Sequence, residues 1–402
     1  MQSRQDGQGA RQSTLRSLNL ALVAEAVFAR PGRLTRADVA HATGMTRSTV
    51  SRLVDQLVAG GILTEDDPVV RRGPGRPGVP LRPAPGTFVA LGLEANVGHL
   101  ACTAVDLAGT VMAHRLVAVD LAGSDPEATL GQLQQLGRST LADLPSGARL
   151  TTVRVALPGI VDHQAAVLLR APNLGWTSVD VTGPLAGLSP SGRVEVDNEA
   201  DCAALTIAQA TPGGADPENS FLYVSGNVGI GSATVVGGRV VAGRHGWAGE
   251  LGHVCVDPAG PRCGCGATGC LEAVAGRRAL LGASGHRTWE SFLQAVDRGE
   301  EPARSATTAA GTALGVALAS ALNLLDLSQV VLGGHLADLA DEITPAIRHE
   351  LDTRVLAAPF EPLGITARRA AEAPGALGAA YQGVLDLIAD PARALGADEG
   401  LT

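Results

Sequence analysis

Apolar residues near the start of the chain recur at helical spacing in two short segments that a glycine separates. The apolar positions are Ala37, Val39, Ala40 and Ala42 in the first segment and Val50, Leu53, Leu57 and Val58 in the second. Gly44 ends the first segment, Thr46 is a suitable N-cap for the second, and a glycine pair at 60–61 ends it. An earlier apolar segment over residues 15–29 supplies a third helix. The pattern predicts a helix-turn-helix.

Two apolar stretches after the second helix, at residues 62–63 and 79–81, predict an antiparallel hairpin. They flank a segment rich in Arg, Gly and Pro, RRGPGRPG. A hairpin in this place forms a wing, with the segment at its tip or just beyond it. Further prolines and a glycine then mark a linker. We therefore predict a winged head over residues 1–82 and a linker over residues 83–87.

The remainder of the chain alternates strand-like apolar runs with glycine turns and Ala-rich helical segments. A strand, a glycine turn and a second strand begin near residue 88, and the same succession begins again near residue 220. A unit that occurs twice predicts two similar α/β lobes with a ligand cleft between them. We place the first lobe at residues 88–200 and the second lobe at residues 201–374.

The composition supports an α/β body and argues against several other classes. The 402 residues include 51 Gly and few aromatic residues, and 45% are hydrophobic, which suits closely packed layers of helices and strands. No uninterrupted apolar run reaches the ~18 residues typical of a membrane span, and the N-terminus is polar, so we expect a soluble, cytoplasmic protein without a membrane partner. Six cysteines in a chain of this length do not make a disulfide framework.

The charges are distributed unevenly along the chain. All 31 basic residues are Arg, which excludes chemistry that requires a lysine, such as a P-loop or a Schiff base. Residues 1–82 contain 12 Arg and 7 acidic residues, a balance of +5, whereas the remainder contains 19 Arg and 33 acidic residues, a balance of −14. A basic head on an acidic body indicates that the head binds a polyanion.

In a helix-turn-helix the N-terminal residues of the second helix enter the major groove of DNA. Here they are short polar side chains and two arginines, which can contact bases and phosphates: Thr46, Arg47, Ser48, Thr49, Ser51 and Arg52. Arg76, between Gly and Pro, is a candidate for a minor-groove arm, although such segments are also typical of plain linkers. We therefore predict that the head binds operator DNA.

The stretch AGELGHVCVDPAGPRCGCGATGCLE at residues 248–272 concentrates metal-binding side chains. Three cysteines have the spacing C-x-C-x4-C, with glycines that let the backbone curl around an ion, and a histidine precedes them by ten residues. The four candidate ligands are His253, Cys263, Cys265 and Cys270. Three thiolates and an imidazole make a closed tetrahedral site without a place for a catalytic water, so the predicted zinc is structural. The alternative is three reduced, buried thiols.

Three other side chains in this stretch need an interpretation. Cys255 lies two residues from the histidine, and we interpret it as a buried strand residue. Glu250 and Glu272 stand at the two ends of the zinc loop, where a rigid backbone would present them as hydrogen-bond acceptors. A Glu before a helix is also typical of a helix cap or a surface charge.

The same stretch resembles the signatures of the ROK family, which is named for repressors, open reading frames and sugar kinases. GELGH and CGCGATGCLE carry most of the resemblance, and ALPGIVD, APNLGW, DNEADCAAL, VGIG, VVLGG and GALGAAY support it. The resemblance covers nearly the whole chain. It implies an α/β fold class, with an N-terminal winged helix-turn-helix followed by a two-lobed actin-like ATPase fold. It also implies that a C-terminal helix near residues 375–390 packs back on the first lobe.

The resemblance further implies a sugar site between the lobes. The Pro-Gly turn at residues 158–159 closes over the sugar ring, and carboxylates and amides bind the hydroxyls. The residues that the resemblance assigns to the sugar are Gly159, Asn198, Glu199, Glu250, His253 and Glu272.

Three departures from the kinases of the family fall in the parts that handle phosphate. Those kinases carry Asp-x-Gly-Gly-Thr on the first hairpin, whereas this chain has EANVG at residues 94–98, with a longer acid and a β-branched Val at a glycine position. The second hairpin has Asn227 and Val228 in place of Gly-Thr. Glu199 replaces the Asp that acts as general base. We therefore predict sugar binding without phosphoryl transfer.

These observations predict a ROK-type transcriptional repressor, a homodimer or a dimer of dimers, whose affinity for operator DNA is controlled by a sugar or sugar derivative in the cleft. Two alternatives stay open. One is an ATP-dependent sugar kinase with an attached DNA-binding head. The other is an activator, or a regulator that is controlled by a partner protein.

Overall fold

The head combines three helices with a small sheet. The computed structural model describes residues 2–67, 78–189, 191–369 and 372–396, with the backbone alone for residues 2–13. The elements of the head are α1 Gln2–Ala29, β1 Leu34–Thr35, α2 Arg36–Thr43, α3 Arg47–Ala59, β2 Leu63–Glu65 and β3 Pro80–Pro83. The strands are antiparallel in the order β1-β3-β2, and β2 with β3 forms the predicted hairpin.

Capping side chains fix where the two helices of the helix-turn-helix begin and end. The Thr35 hydroxyl accepts a hydrogen bond from the Asp38 N–H, and the Asp38 carboxylate accepts one from the Thr35 N–H, which starts α2. Gly44 ends α2 in the left-handed region, with a φ of 69°. The Thr46 hydroxyl accepts from the Thr49 N–H at 3.2 Å and starts α3. The predicted turn and cap are confirmed.

The buried faces of these helices agree with the predicted pattern except at four positions. Those buried as predicted are Val39, Ala40, Val50, Leu53 and Leu57. Ala37 and Ala42 are exposed, so their assignment to the apolar face was wrong. Val54 is buried instead of Val58, which is half-buried, because helical spacing places residue 54 on the same face as residues 50 and 57. The first helix, α1, begins at Gln2, well before the predicted start.

The first lobe of the body is built on a five-stranded sheet. Its elements are β4 Phe88–Asn96, β5 His99–Asp106, β6 Val111–Ala118, α4 Pro126–Ala142, β7 Arg149–Leu157, β8 Ile160–Asp162, β9 Val167–Ala171, β10 Trp176–Asp180, α5 Thr182–Leu185, β11 Glu195–Asn198 and α6 Glu199–Ala208. The strand order is β11-β7-β4-β5-β6, and β8, β9 and β10 form a separate small antiparallel sheet. The parallel strands β7 and β11 end on the same side, so they bring the turns that follow them together.

The second lobe repeats this plan. Its elements are β12 Phe221–Gly226, β13 Ile230–Val236, β14 Arg239–Val240, α7 Glu272–Ala275, α8 Arg277–Ser284, α9 Trp289–Asp297, α10 Glu301–Leu325, β15 Gln329–Gly334, α11 His335–Asp338, α12 Ala340–Arg354 and β16 Gly364–Ala367. The strand order is β14-β13-β12-β15-β16, with β12 and β13 antiparallel and β15 parallel to β12. In the first lobe β4 and β5 are likewise antiparallel, and β7 is parallel to β4. This shared arrangement confirms the predicted duplication.

One helix of the second lobe has the length and hydropathy of a membrane span. It is α10, and 44% of its most apolar window is buried inside the body. Ala310, Leu314 and Leu318 of this helix belong to the main core of the lobe. The helix therefore packs as a core helix.

The chain ends with α13 Pro374–Ala389 and α14 Pro391–Ala394, and α13 packs across the sheet of the first lobe. A Cβ atom at Gly92 of β4 would lie 1.9 Å from the Ala376 carbonyl oxygen. A Cβ atom at Gly378 would lie 1.9 Å from the Cys202 carbonyl oxygen. Glycine at these two positions allows α13 to lie directly against both β4 and α6.

The head shares a hydrophobic core with this helix. Phe28 of the head and Leu387 and Ile388 of α13 are buried in the same cluster. The Arg149 guanidinium of the first lobe donates a hydrogen bond to the Gly60 carbonyl oxygen at 2.7 Å. The head is thus docked on the first lobe, a contact that the predicted linker gave no reason to expect.

Candidate ligand pocket and metal cluster

The cleft between the lobes is about 630 Å³ and open to solvent. It is lined by the residues that the sequence analysis assigned to a sugar. It lies where β7 and β11 end, opposite the β12–β13 turn of the second lobe. All six predicted residues line it: Gly159, Asn198, Glu199, Glu250, His253 and Glu272. Asn96 and Asn173 also line it and were not assigned to the sugar.

Asn198 and Gly159 form one wall of the cleft. The Asn198 side-chain carbonyl accepts from the Ala200 N–H at 2.7 Å and so caps α6, while its amide donates to the Gly159 carbonyl oxygen at 2.9 Å. Gly159 has a φ of 94°, and a Cβ atom there would lie 2.2 Å from the Arg170 carbonyl oxygen. The turn therefore requires glycine, and Asn198 holds it against the start of α6.

Glu199 lies at the position where the family resemblance places the general base of the kinases. Its carboxylate is hydrogen-bonded to Asn96, a residue that the sequence analysis did not single out. The Asn96 amide donates to the Glu199 carboxylate at 2.6 Å. Burial raises the pKa of Glu199 to about 8, and the nearby charge of Glu94 adds to that increase. At neutral pH this carboxyl group is mostly protonated.

Glu94 is the acid of the first hairpin, and both oxygens of its carboxylate already have partners. It is 2% exposed. Its carboxylate accepts from the Ala376 N–H at 2.8 Å, at the start of α13, and lies 3.0 Å from His99 Nε2. A carboxylate at a helix N-terminus is favoured by the unpaired N–H groups and the helix dipole.

Glu272 lies over the β12–β13 turn. Its Oε2 atom accepts from the Ile230 N–H at 3.1 Å and from the Asn173 amide at 3.2 Å, which joins the two lobes. A Cβ atom at Gly229 would lie 1.9 Å from this oxygen, so the close approach depends on glycine. The carboxylate thus occupies the backbone donor of the turn where the family resemblance implies phosphate.

Glu250 and His253 connect the pocket to the cysteines. The carboxylate of Glu250 lies 3.8 Å from His253 Nε2, and burial raises the pKa of Glu250. The other ring nitrogen, Nδ1, lies 3.7 Å from Cys263 Sγ. His253 therefore faces the pocket with one nitrogen and the cysteines with the other.

The predicted metal ligands form one cluster. The ligand atoms of His253, Cys263, Cys265 and Cys270 all lie within 4.8 Å of one another. The Sγ atoms of Cys265 and Cys270 are 3.7 Å apart, close to the edge of about 3.8 Å that a tetrahedron with metal–sulfur distances of ~2.3 Å would have. The cluster can hold a metal ion.

Cys255 is outside this cluster, and its predicted burial was wrong because its side chain is exposed. Its backbone forms only an isolated bridge with Cys270. The neighbouring Val254 is also 38% exposed, so this segment does not lie in the core.

The predicted DNA-contacting residues lie at the start of α3. Arg47 and Arg52 are exposed, and within the part of the chain that the structure describes neither forms an ion pair. Thr46 and Ser48 are also exposed, while Thr49 and Ser51 are half-buried. Arg76 lies outside the described residues.

The structure joins a helix-turn-helix head to a two-lobed body of the actin-like sugar kinase fold. This combination defines a class of proteins in which a DNA-binding domain is attached to a kinase-like domain. A model of the ROK family matches residues 90–382, and a model of the IclR helix-turn-helix domain matches residues 23–67. The chain belongs to the ROK family. The predictions of family and fold are thereby confirmed.

Regulators match more of the chain than a kinase of the family does. The chain is 24% identical over 399 residues to the xylose repressor of Caldicellulosiruptor bescii, covering 94% of this chain and 98% of that protein. A crystal structure of a ROK family transcriptional regulator, a homologue of the Escherichia coli Mlc protein, matches with a TM-score of 0.77 at 22% identity over 95% of this chain and 99% of its own. The ROK hexokinase of Thermus thermophilus matches with a TM-score of 0.59 at 27% identity over 74% of this chain and 99% of its own.

Proposed function

We propose that this chain is a cytoplasmic transcriptional repressor whose affinity for operator DNA is controlled by a sugar or sugar derivative in the interlobe cleft. One observation carries the proposal. All six residues assigned to a sugar line the same cleft, and the lobe that forms one wall of the cleft shares its core with the head. The similarity to a xylose repressor and to a ROK transcriptional regulator supports it.

Glu250 is the best candidate for binding sugar hydroxyls. Among the described residues no hydrogen bond reaches its carboxylate, whereas Oε2 of Glu272 already accepts from the Ile230 N–H and the Asn173 amide. A carboxylate accepts hydrogen bonds from two adjacent hydroxyls, and charge-assisted bonds of this kind are the stronger ones. His253 Nε2, 3.8 Å from Glu250, adds a polar group on the same side of the cleft.

Phosphoryl transfer is not part of the proposed function, because a carboxylate accepts from the backbone of the β12–β13 turn, where the family resemblance implies phosphate. The Glu272 carboxylate accepts a hydrogen bond from the Ile230 N–H in the β12–β13 turn. The Glu94 carboxylate accepts one from the Ala376 N–H at the N-terminus of α13. Phosphate oxygens would compete with both groups and be repelled by them.

The metal in this proposal is a structural zinc ion held by the Cys/His cluster. Three thiolates and one imidazole are the donor set of closed zinc sites. The cluster shares His253 with the cleft, and Glu272 follows the last ligand, Cys270, by two residues. Zinc would therefore fix the loop that carries the second-lobe wall of the pocket.

The head and the ligand are coupled in this proposal by movement of the lobes. The functional form is a homodimer or a dimer of dimers, so two heads bind two half-sites of an operator. Because each head is docked on its own first lobe through α13, closure of the cleft changes the spacing of the heads.

The proposal is tested with the full-length protein and DNA sites selected from a random pool. A thermal-shift screen against neutral and charged sugars identifies ligands, since a ligand that binds the native state raises the melting temperature. We expect at least one such sugar to change the affinity for the selected DNA. If no sugar changes either the melting temperature or DNA affinity, the proposal is wrong.

The kinase alternative has one observation in its favour, which is the shared fold with a ROK hexokinase. The same sugars are therefore incubated with the protein and ATP, and sugar phosphate is measured. Turnover that one sugar stimulates would replace the repressor proposal with the kinase alternative. Activation of a promoter by the bound protein would instead support an activator.

A further inference from the structure

A second cavity, about 670 Å³, adjoins the interlobe cleft. The two share Asn173, Val228 and Glu272 in their walls, so they are direct neighbours. The residues that line only the second cavity are Arg262, Cys263, Gly264, Ala273, Arg278 and Ala279. Nothing in the proposed sugar site uses this cavity.

Two arginines give this cavity its chemical character. Arg262 and Arg278 are both exposed, and within the part of the chain that the structure describes neither forms an ion pair or a side-chain hydrogen bond. Glu272 is the one carboxylate in the wall, and its Oε2 atom is already bound by Ile230 and Asn173. Both guanidinium groups are therefore available to bind an anion.

The backbone positions of both arginines are well fixed. Arg262 directly precedes the metal ligand Cys263 and forms a backbone bridge with Thr268 inside the metal loop. Arg278 is in the first turn of α8. Gly276, the residue before α8, packs so closely on the β12–β13 turn that a Cβ atom there would lie 3.1 Å from the Val228 carbonyl oxygen.

We infer that this cavity is a subsite for an anionic substituent on the sugar, a phosphate ester or a carboxylate, which Arg262 and Arg278 bind together. Guanidinium groups bind both anions through paired N–H donors. The inference rests on the proposed function, because the sugar ring of the same ligand occupies the interlobe cleft. The inference narrows the chemical class of the effector from sugars in general to sugar phosphates and sugar acids.

The test measures the affinity of the full-length protein for matched neutral and anionic sugars by calorimetry. The probes are glucose, mannose, N-acetylglucosamine and xylose, their phosphate esters, glucuronate, inorganic phosphate and ATP. We expect one anionic sugar to bind about tenfold to a hundredfold more tightly than its neutral parent, the gain typical of hydrogen bonds to charged groups. This gain in affinity of the anionic sugar over its neutral parent should decrease as the salt concentration rises.

The arginines are then replaced singly and together, as Arg262→Gln and Arg278→Gln. Gln keeps the polar side chain, and α8 tolerates it because Gln is a good helix former. We expect the double variant to bind the anionic sugar and its neutral parent equally. Arg287→Gln, at an exposed position that does not line the cavity, is the matched control and should keep the gain. The metal content of each variant is measured, because Arg262 adjoins a metal ligand.

The outcomes separate this inference from the proposed function. A neutral sugar that binds as tightly as its phosphate ester, or a gain that survives in the double variant, overturns this inference alone. Binding of ATP that requires both arginines also overturns it, because the cavity would then be a nucleotide site. If no sugar of either kind binds, the proposed function fails, and this inference fails with it.

Discussion

The unusual pKa of Glu199 makes a quantitative prediction about stability. A carboxyl group whose pKa is raised in the folded protein binds more protons when folded than when unfolded, at every pH between the two pKa values. Stability therefore decreases as pH rises through that interval, here from the ordinary value of 4.5 to about 8. Replacement by Gln removes the titration, so Glu199→Gln should lose less stability than the unmodified protein when the pH is raised.

The magnitude follows from the width of this interval. At ~1.36 kcal/mol per pH unit, the upper limit is about 5 kcal/mol. Glu199 is only half-buried and lines a cleft that is open to solvent, which reduces the effect. We expect the free energy of unfolding of the unmodified protein, relative to Glu199→Gln, to fall by about 2 kcal/mol between about pH 5.5 and about pH 8.

Urea unfolding at both pH values measures this difference. Asp201, whose burial raises its pKa to about 7, titrates in both proteins, and its contribution largely cancels in the comparison. Glu218→Gln, at an exposed position outside the cleft, controls for the loss of one negative charge. A difference between the unmodified protein and Glu199→Gln that does not change with pH would refute the argument. It would also restore Glu199 as an ionised group capable of base catalysis.

Three further predictions concern the metal, the DNA and the ligand. Cys265→Ser should lose about one zinc ion per chain and destabilise the second lobe, whereas Cys255→Ser should retain the metal; metal analysis of freshly purified protein decides between these ligand sets. Arg47→Ala should weaken binding to the selected DNA by ~1–3 kcal/mol while leaving the melting curve unchanged, which fluorescence anisotropy and calorimetry measure. Glu250→Gln should abolish the response of DNA affinity to the sugar and leave ligand-free DNA affinity nearly intact; a full response would place the sensing site elsewhere.

Local signals in the sequence were sufficient for the metal ligands and the helix ends. The four candidate ligands fall within eighteen residues, and glycines separate the cysteines, so spacing was enough to predict that they cluster. Thr46 and Gly44 act through hydrogen bonds and dihedral angles of their immediate neighbours. Such features depend little on the rest of the fold.

The partners of the buried carboxylates could not be predicted in this way. Glu94 binds a backbone group 282 positions away in the chain, and Asn96 binds Glu199 across 103 positions. Only the packing of the sheet against α13 and α6 brings these groups together. The exposure of Cys255 was missed for a related reason, because an apolar segment is buried only where the fold packs a core against it, and here Cys255 forms an isolated bridge with Cys270.

The helix that supports the head also contacts the acid of the first hairpin, at which this chain departs from the kinases of the family. Glu94, at a position that contacts phosphate in kinases of the family by resemblance, here holds the start of α13 through the Ala376 N–H. Near the other end of α13, Asp386 lies 2.6 Å from Arg154, whose guanidinium also binds Asp197 with two hydrogen bonds of 2.8 Å.

Asp197 directly precedes Asn198 in the wall of the cleft, and Arg154 lies on β7, which leads into the Gly159 turn. Arg154 therefore joins both parts of this wall to α13, on which the head is packed, through a buried ion pair with Asp197 and a partly exposed one with Asp386. Breaking the buried pair with Asp197 would leave an uncompensated charge, which opposes separation of β7 from β11. In the proposed function, a ligand that shifts this wall relative to the second lobe would carry the head with it through α13, without a separate signalling element.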